Sequence, residues 1–182
     1  MRELSLHILD IAENGITAGA ECVHITVDEQ RDNNRVVISI TDNGPGIPKE
    51  MIETVTDPFV TSRTTRRVGL GLSLLAAAAK RCDGEFTIDS APGKGTTVTA
   101  AFAFDHIDRA PVGDMAATIT TLMAGNPDID FLYIHKINKN DFSLDTVEIK
   151  RELEEVPLNE PAVIHHLTEL IRKELEKLEP KN

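Results

Sequence analysis

Leu4, Ile8, Ile11 and Ala12 recur at helical spacing at the start of the chain. This predicts an amphipathic helix with Glu3, His7, Asp10, Asn14 and Thr17 gathered on its opposite face. Two alternating runs follow, Val23 to Val27 and Val36 to Ile40, and the polar stretch Arg31 to Arg35 between them reads as the turn of an antiparallel hairpin. Pro48 suits the first turn of a short helix through Thr54. After a polar segment, Leu72 to Arg81 is an Ala-rich helical run, with Gly84 as its C-terminal cap and its apolar face turned to the sheet. Glu85 to Ser90 and Thr96 to Phe104 then read as two strands joined by a hairpin through Gly93-Lys94-Gly95.

Beyond Asp105 the pattern changes character. Ala110-Pro111-Val112-Gly113 reads as a linker and Asp114 to Met123 as a short helix ended by Gly125-Asn126-Pro127. Phe131 to Ile137 and Phe142 to Lys150 form a second hairpin around Asn138 to Asp141, and Glu160 to Leu178 a final helix. This α-β-β-α unit, residues 106–182, resembles no family; it can fold alone or pack on the preceding region. Partner binding, dimerisation or sensing are the roles left to it.

Composition narrows the class. The 182 residues are 41% hydrophobic and 27% charged, ordinary for a folded soluble protein. The net charge of −11 is shared between residues 1–105 (10 basic, 15 acidic) and residues 106–182 (9 basic, 15 acidic). Neither part is basic, so nucleic acid is not an expected partner. Cys22 and Cys82 form no metal-binding pattern and read as reduced thiols. With no apolar run of membrane-spanning length and no signal-peptide pattern, the expected location is the cytoplasm.

The candidate chemistry lies in two glycine-rich turns. Asp42-Asn43-Gly44-Pro45-Gly46 directly follows the second strand, where a carboxylate leaving the sheet can accept a hydrogen bond from an exocyclic amine such as adenine's. Gly44 and Gly46 allow close backbone approach or positive φ. Gly69-Leu70-Gly71-Leu72 opens the Ala-rich helix, whose free N–H groups and positive dipole end suit a phosphate. Asp10 and Asn14 lie one helical turn apart, a carboxylate beside an amide oxygen, which suits a hard cation such as Mg²⁺ and an activated water. His7 shares that face and reads as a polar groove residue. The basic cluster from Arg63 to Arg67 runs into the second glycine turn, so Arg63 and Arg67 can clamp phosphate oxygens. Of His165 and His166, one is expected to be a partly buried helix residue; a phosphoacceptor role is the less favoured alternative.

In their order, these elements resemble the GHKL superfamily of gyrase B, MutL-type repair proteins, histidine kinases, anti-sigma-factor kinases and related chaperones. The likeness covers residues 1–105. Leu9 to Ala20 looks like the first motif, implying that Asn14 ligands Mg²⁺. Asp42 to Gly46 matches the second, implying that Asp42 reads adenine, with Gly44, Gly46 and Ile47 beside it. Asp57-Pro58-Phe59 resembles the segment before the lid of histidine kinases and adds Phe59 to the nucleotide contacts. Gly69, Leu70, Gly71 and Leu72 match the phosphate loop, and Gly95-Thr96 the last motif, with Thr96 supporting the adenine side. Where hydrolysing branches carry a water-activating Glu, this chain has Asp10. No room precedes residue 1 for a phosphoacceptor-histidine hairpin, which disfavours a self-phosphorylating sensor.

The resemblance implies an α+β two-layer sandwich of the Bergerat type, with a mixed sheet and helices on one face, followed by a small C-terminal α+β domain. It implies ATP and Mg²⁺ as cofactors and a kinase or ATPase acting on or through a protein partner, with homodimerisation compatible. A non-catalytic ATP-dependent switch is the alternative.

Overall fold

The computed structural model describes residues 3–56 and 71–179. Twelve principal elements follow the chain among these residues: α1 (Leu4–Ala18), β1 (Cys22–Gln30), β2 (Arg35–Asp42), α2 (Lys49–Thr56), α3 (Gly71–Arg81), β3 (Phe86–Ser90), β4 (Thr96–Ala103), α4 (Met115–Gly125), β5 (Asp130–Ile137), β6 (Asn140–Asp145), α5 (Thr146–Leu153) and α6 (Pro161–Leu178). The strands form one mixed sheet in the order β3-β4-β2-β1-β5-β6.

Alternation decides the two faces of this sheet. Val23, Ile25 and Val27 of β1, Val36, Ile38 and Ile40 of β2, and Val98, Ala100 and Phe102 of β4 all point to one face and are buried. Leu4, Ile8, Ile11 and Ala12 of α1, with Leu72, Leu75 and Ala79 of α3, pack in the same core. Each such large side chain contributes about 1.5–3 kcal/mol on burial. The other face carries polar pairs instead: Ser39 with Thr99 (3.4 Å) and Thr41 with Thr97 (3.1 Å). The architecture is the two-layer α+β sandwich that the motifs imply.

Residues 106–182 pack against the first region. β5 lies parallel to β1, in register from Cys22↔Asp130 to Glu29↔Ile137, and Met115, Ile119, Leu122, Phe131 and Tyr133 belong to the same buried cluster as Val23 and Ile25. Of the two arrangements open to this segment, packing on its neighbour is the one adopted.

Several local expectations change. The strand expected over Phe142 to Lys150 ends at Asp145, because the Asp145 carboxylate accepts from Val147 N–H (2.8 Å) and starts α5. Gly84 is not the left-handed residue after α3; Asp83 is (φ 51). Gly84 is needed because a Cβ there would overlap the Ala101 carbonyl. The segment read as a linker is pinned to α1, with Leu4 N–H donating to Pro111 O (2.9 Å) and Ser5 N–H to Val112 O (2.8 Å). Those carbonyls satisfy donors that a helix start otherwise leaves free.

Candidate functional site

β2 carries Asp42 to the end of the sheet, and three elements close around it. Its Oδ1 accepts from Gly44 N–H at 2.8 Å. A Cβ at Gly44 would lie 2.8 Å from Asp42 Oδ1, and one at Gly15 of α1 would lie 3.0 Å from Oδ2, so both positions must be bare for this carboxylate to sit where it does. Burial pushes the Asp42 carboxyl above the ordinary range, against hydrogen bonds from the main chain of Gly44 and Thr96 that favour its charged form. Gly46 has φ 73, the left-handed turn that lets the loop double back, and a side chain there would overlap the Ala91 carbonyl.

The Thr96 side of the site is built by a residue the sequence did not single out. Ser90 Oγ accepts from Ile47 N–H (2.8 Å), donates to Gly95 O (2.8 Å) and lies 2.9 Å from Thr96 Oγ1. It thereby ties Ile47 and Thr96 together beside Asp42, which pairs with Thr96 across the sheet. A serine closing the strand before a glycine turn was the available signal. Asn43, read as turn chemistry, proves to be a latch: its Oδ1 accepts from Glu21 N–H (2.8 Å) and Cys22 N–H (2.9 Å), fixing the loop to the start of β1.

The other end of the site is made by α1 and α3. Asp10 lies against Gly71, the first residue of α3, so closely that a methyl group at position 71 would overlap the Asp10 carboxylate. Asn14 is one turn further on, half-buried, and directly precedes Gly15. Thus α1 runs from the start of α3 to Asp42, and its rise between Asp10 and Gly15 is about 7.5 Å, a span that a nucleoside phosphate can bridge. The Leu72 side chain is buried in the core, so only its main chain is left to meet a ligand.

Some expectations on these elements are corrected. His7 is not a groove residue: it is 3% exposed, its Nδ1 has no hydrogen-bond partner, and burial above all pushes its imidazole towards the neutral form. The face it shares with Asp10 is turned towards α3 rather than to solvent, while Leu6 of the same helix is 41% exposed. His165 and His166 are both exposed. Phe59, Arg63, Arg67, Gly69 and Leu70 lie outside the described residues.

The mixed sheet with helices on one face thus carries an aspartate at the end of its second strand and a glycine at the start of α3 beside the first helix. Residues 2–106 match the family described as Histidine kinase-, DNA gyrase B-, and HSP90-like ATPase, and the chain belongs to that family. The chain is similar to sporulation kinase C of Bacillus subtilis (strain 168), with 32% identity over 94 residues, covering 52% of this chain and 22% of that protein. It is also similar to the non-motile and phage-resistance protein of Caulobacter vibrioides, with 33% identity over 119 residues, covering 60% of this chain and 14% of that one. The chain spans about a fifth or less of the length of these curated relatives. Its fold is similar to that of the Aquifex aeolicus MutL ATPase domain complexed with ADP, at a TM-score of 0.52 and 13% identity over 100% of both chains. Among the described residues, no helix is long and apolar enough to cross a membrane.

Proposed function

We propose that the protein binds ATP with Mg²⁺ in the groove between the end of β2, the middle of α1 and the start of α3, and that it works as a kinase or ATPase on or through a protein partner in the cytoplasm. The observation that carries this reading is the Asp42 carboxylate held against Gly15 and Gly44, with Asp10 against Gly71 at the other end of the same helix. A half-buried carboxylate accepts a hydrogen bond from an exocyclic amine, which selects adenine. The N-terminus of α3 offers N–H groups and positive potential to phosphate oxygens.

The residues present fit both groups. Bare positions at Gly15 and Gly44 let the Asp42 carboxylate sit at the end of β2, where it is the acceptor an adenine amine needs. The amide oxygen of Asn14 is a hard donor, and Mg²⁺ is characteristically held by one or two protein oxygens together with substrate phosphates. The metal would neutralise charge on those phosphates. Asn14 then orients the phosphate end, Asp42 fixes the base, and the Ser90-linked pair Ile47 and Thr96 holds the rim on the adenine side. Asp10 accepts a proton from water or from a substrate hydroxyl. Arg63 and Arg67 complete the phosphate clamp in this reading.

The names of the relatives support a signalling role, since sporulation kinase C is among them. The test is calorimetry of ATP and GTP against wild type and Asp42→Asn, followed by phosphate release. ATP binding that exceeds GTP binding at least tenfold and is lost in a folded Asp42→Asn protein supports the assignment. Equal binding of the two nucleotides, or tight ATP binding by the variant, removes it.

A further inference from the structure

At the opposite end of the sheet from Asp42 lies a concavity. Val23 of β1 pairs with Asp42, whereas Glu29, six residues further along the strand, lines a cavity of about 510 Å³. At about 3.3 Å per residue the two places are some 20 Å apart. This volume lies within the range of about 300–1,000 Å³ typical of small-molecule sites.

The walls combine cations with an aromatic and aliphatic floor. Arg31, Arg109 and Arg172 all line the cavity, with Phe104, Met115 and Leu175 among its apolar surfaces. The Arg31 and Arg109 guanidiniums stand 5.4 and 5.0 Å from the centroid of the Phe104 ring. Their pairings differ. Arg31 bonds Glu29 (2.8 Å) and Glu179 (2.6 Å), and Arg172 bonds Asp114 (3.2 Å). Arg109 donates only to main-chain carbonyls, Phe104 O at 2.6 Å and Ala110 O at 3.1 Å, and among the described residues no carboxylate pairs with it.

The acids of the cavity are mostly committed. Glu29, 6% exposed, is held by Arg31 and by His135 Nε2 (2.9 Å), and His135 is itself fixed by Tyr133 OH (2.7 Å). Glu179 occupies the outer side of Arg31 with both oxygens, through Nη1 at 2.6 Å and Nη2 at 2.8 Å. Glu176, the remaining acid, is exposed on α6. The lining therefore presents one oriented guanidinium that has no counter-charge among the described residues, beside an aromatic ring and aliphatic side chains. That is the complement of an acid group on an apolar body.

We infer that this cavity is a binding site for a small organic anion, its acid group paired with Arg109 and its apolar body lying against Phe104. Glu179, carried by the end of α6, competes for the neighbouring guanidinium of Arg31. The site stands on residues 104–116 and on α6, and does not depend on the nucleotide reading.

The probes are anilinonaphthalene sulfonate, an aromatic anion, and phenylnaphthylamine, its uncharged counterpart, each titrated by fluorescence into the full chain. One sulfonate dye is expected to bind per chain. Arg109→Gln should weaken the sulfonate at least about tenfold, the usual scale for a charged hydrogen bond, while changing phenylnaphthylamine less than about twofold. Glu179→Gln, which removes the charge from the outer side of Arg31 while Glu29 keeps the inner one, should tighten the sulfonate by about threefold, an effect that loss of structure would not produce. Should Arg109→Gln fail to keep the wild-type circular dichroism, Val112→Phe serves instead, since a larger side chain on the cavity wall should weaken both dyes. Sulfonate binding unchanged in folded Arg109→Gln, a parallel loss of both dyes in it, dye binding indifferent to Val112→Phe, or no saturable binding would each overturn the assignment.

Discussion

Two aspartates, each packed on a glycine, divide the labour of the candidate site at the residue scale. In the proposed site Asp42 presents an unprotonated oxygen to adenine, while burial raises its pKa above the ordinary aspartate value of about 3.9. Acidification should therefore weaken ATP binding at a higher pH than an exposed aspartate would allow, and calorimetry across an acid pH series reads that midpoint. The sign for stability is the reverse: a carboxyl raised in the folded state favours folding below its unfolded pKa and loses that contribution as pH rises through its folded one. In the same proposal Asp10 is the base at the other end, where it lies against Gly71. As a base, its replacement in Asp10→Asn should leave ATP affinity nearly unchanged while phosphate release falls by roughly a hundredfold, the usual scale of general-base help. Gly71→Ala should resemble it, because the added methyl displaces the same carboxylate. Equal turnover in wild type and Asp10→Asn would instead favour the ATP-dependent switch, a reading that the shorter Asp10, in place of a glutamate, keeps open.

For whole elements, caps and alternation decide what forms. α4 begins where Asp114 accepts from Ala117 N–H at 2.9 Å, a bond that, against burial and with help from Arg172, holds the Asp114 carboxyl below its usual range. A depressed carboxyl contributes stability above its unfolded pKa and loses it as pH falls through its folded one. Asp114→Ala should accordingly cost about 1 kcal/mol at neutral pH. Urea unfolding should find that cost narrowing once the pH is taken below about 3.9. A cost that does not change with pH would mean that the carboxylate is not the cap. Such caps explain what the sequence made legible and what it did not. The β1–β2 and β3–β4 hairpins were readable because polar turns interrupt strict alternation, and α1 because Leu4, Ile8, Ile11 and Ala12 keep one face. Asp145 was misread because Phe142, Leu144 and Val147 continue an apolar pattern that only the cap at Val147 N–H breaks. His7 was misplaced because helical spacing groups residues by face without saying what covers that face; here it is α3. Ser90 and Asn43 escaped notice because their partners, Ile47, Thr96, Glu21 and Cys22, are brought to them only by strand pairing.

For the molecule as a whole, the question is whether residues 106–182 are an appendage or part of one cooperative unit. β5 occupies the flank of β1 from Cys22 to Glu29, so removing it would leave the main-chain groups of β1 as an open edge. It would also uncover Val23, Ile25 and Val27, which share a core with Phe131, Tyr133, Met115 and Ile119. The join is strengthened by a buried polar link: Glu29 of β1 bonds His135 of β5 at 2.9 Å, and although burial opposes its charge, hydrogen bonds from His135 and Arg31 hold its carboxyl below the usual range. Without His135 that carboxylate would keep only Arg31 as a partner and leave its Oε1 unpaired. A second tie runs from Leu4 and Ser5 of α1 to the carbonyls of Pro111 and Val112, so the helix that carries Asp10 and Asn14 is itself anchored by the later segment. The full chain should consequently unfold in a single transition, followed alike by far-ultraviolet circular dichroism and by the near-ultraviolet signal of Tyr133 on β5. A chain cut after Asp105 should melt at least about 10 °C lower or fail to fold as a monomer, given that losing even about 2 kcal/mol shifts a domain of this size by several degrees. Two separated transitions in the full chain, or a truncated chain with the melting temperature of the whole, would instead establish residues 106–182 as an independent domain.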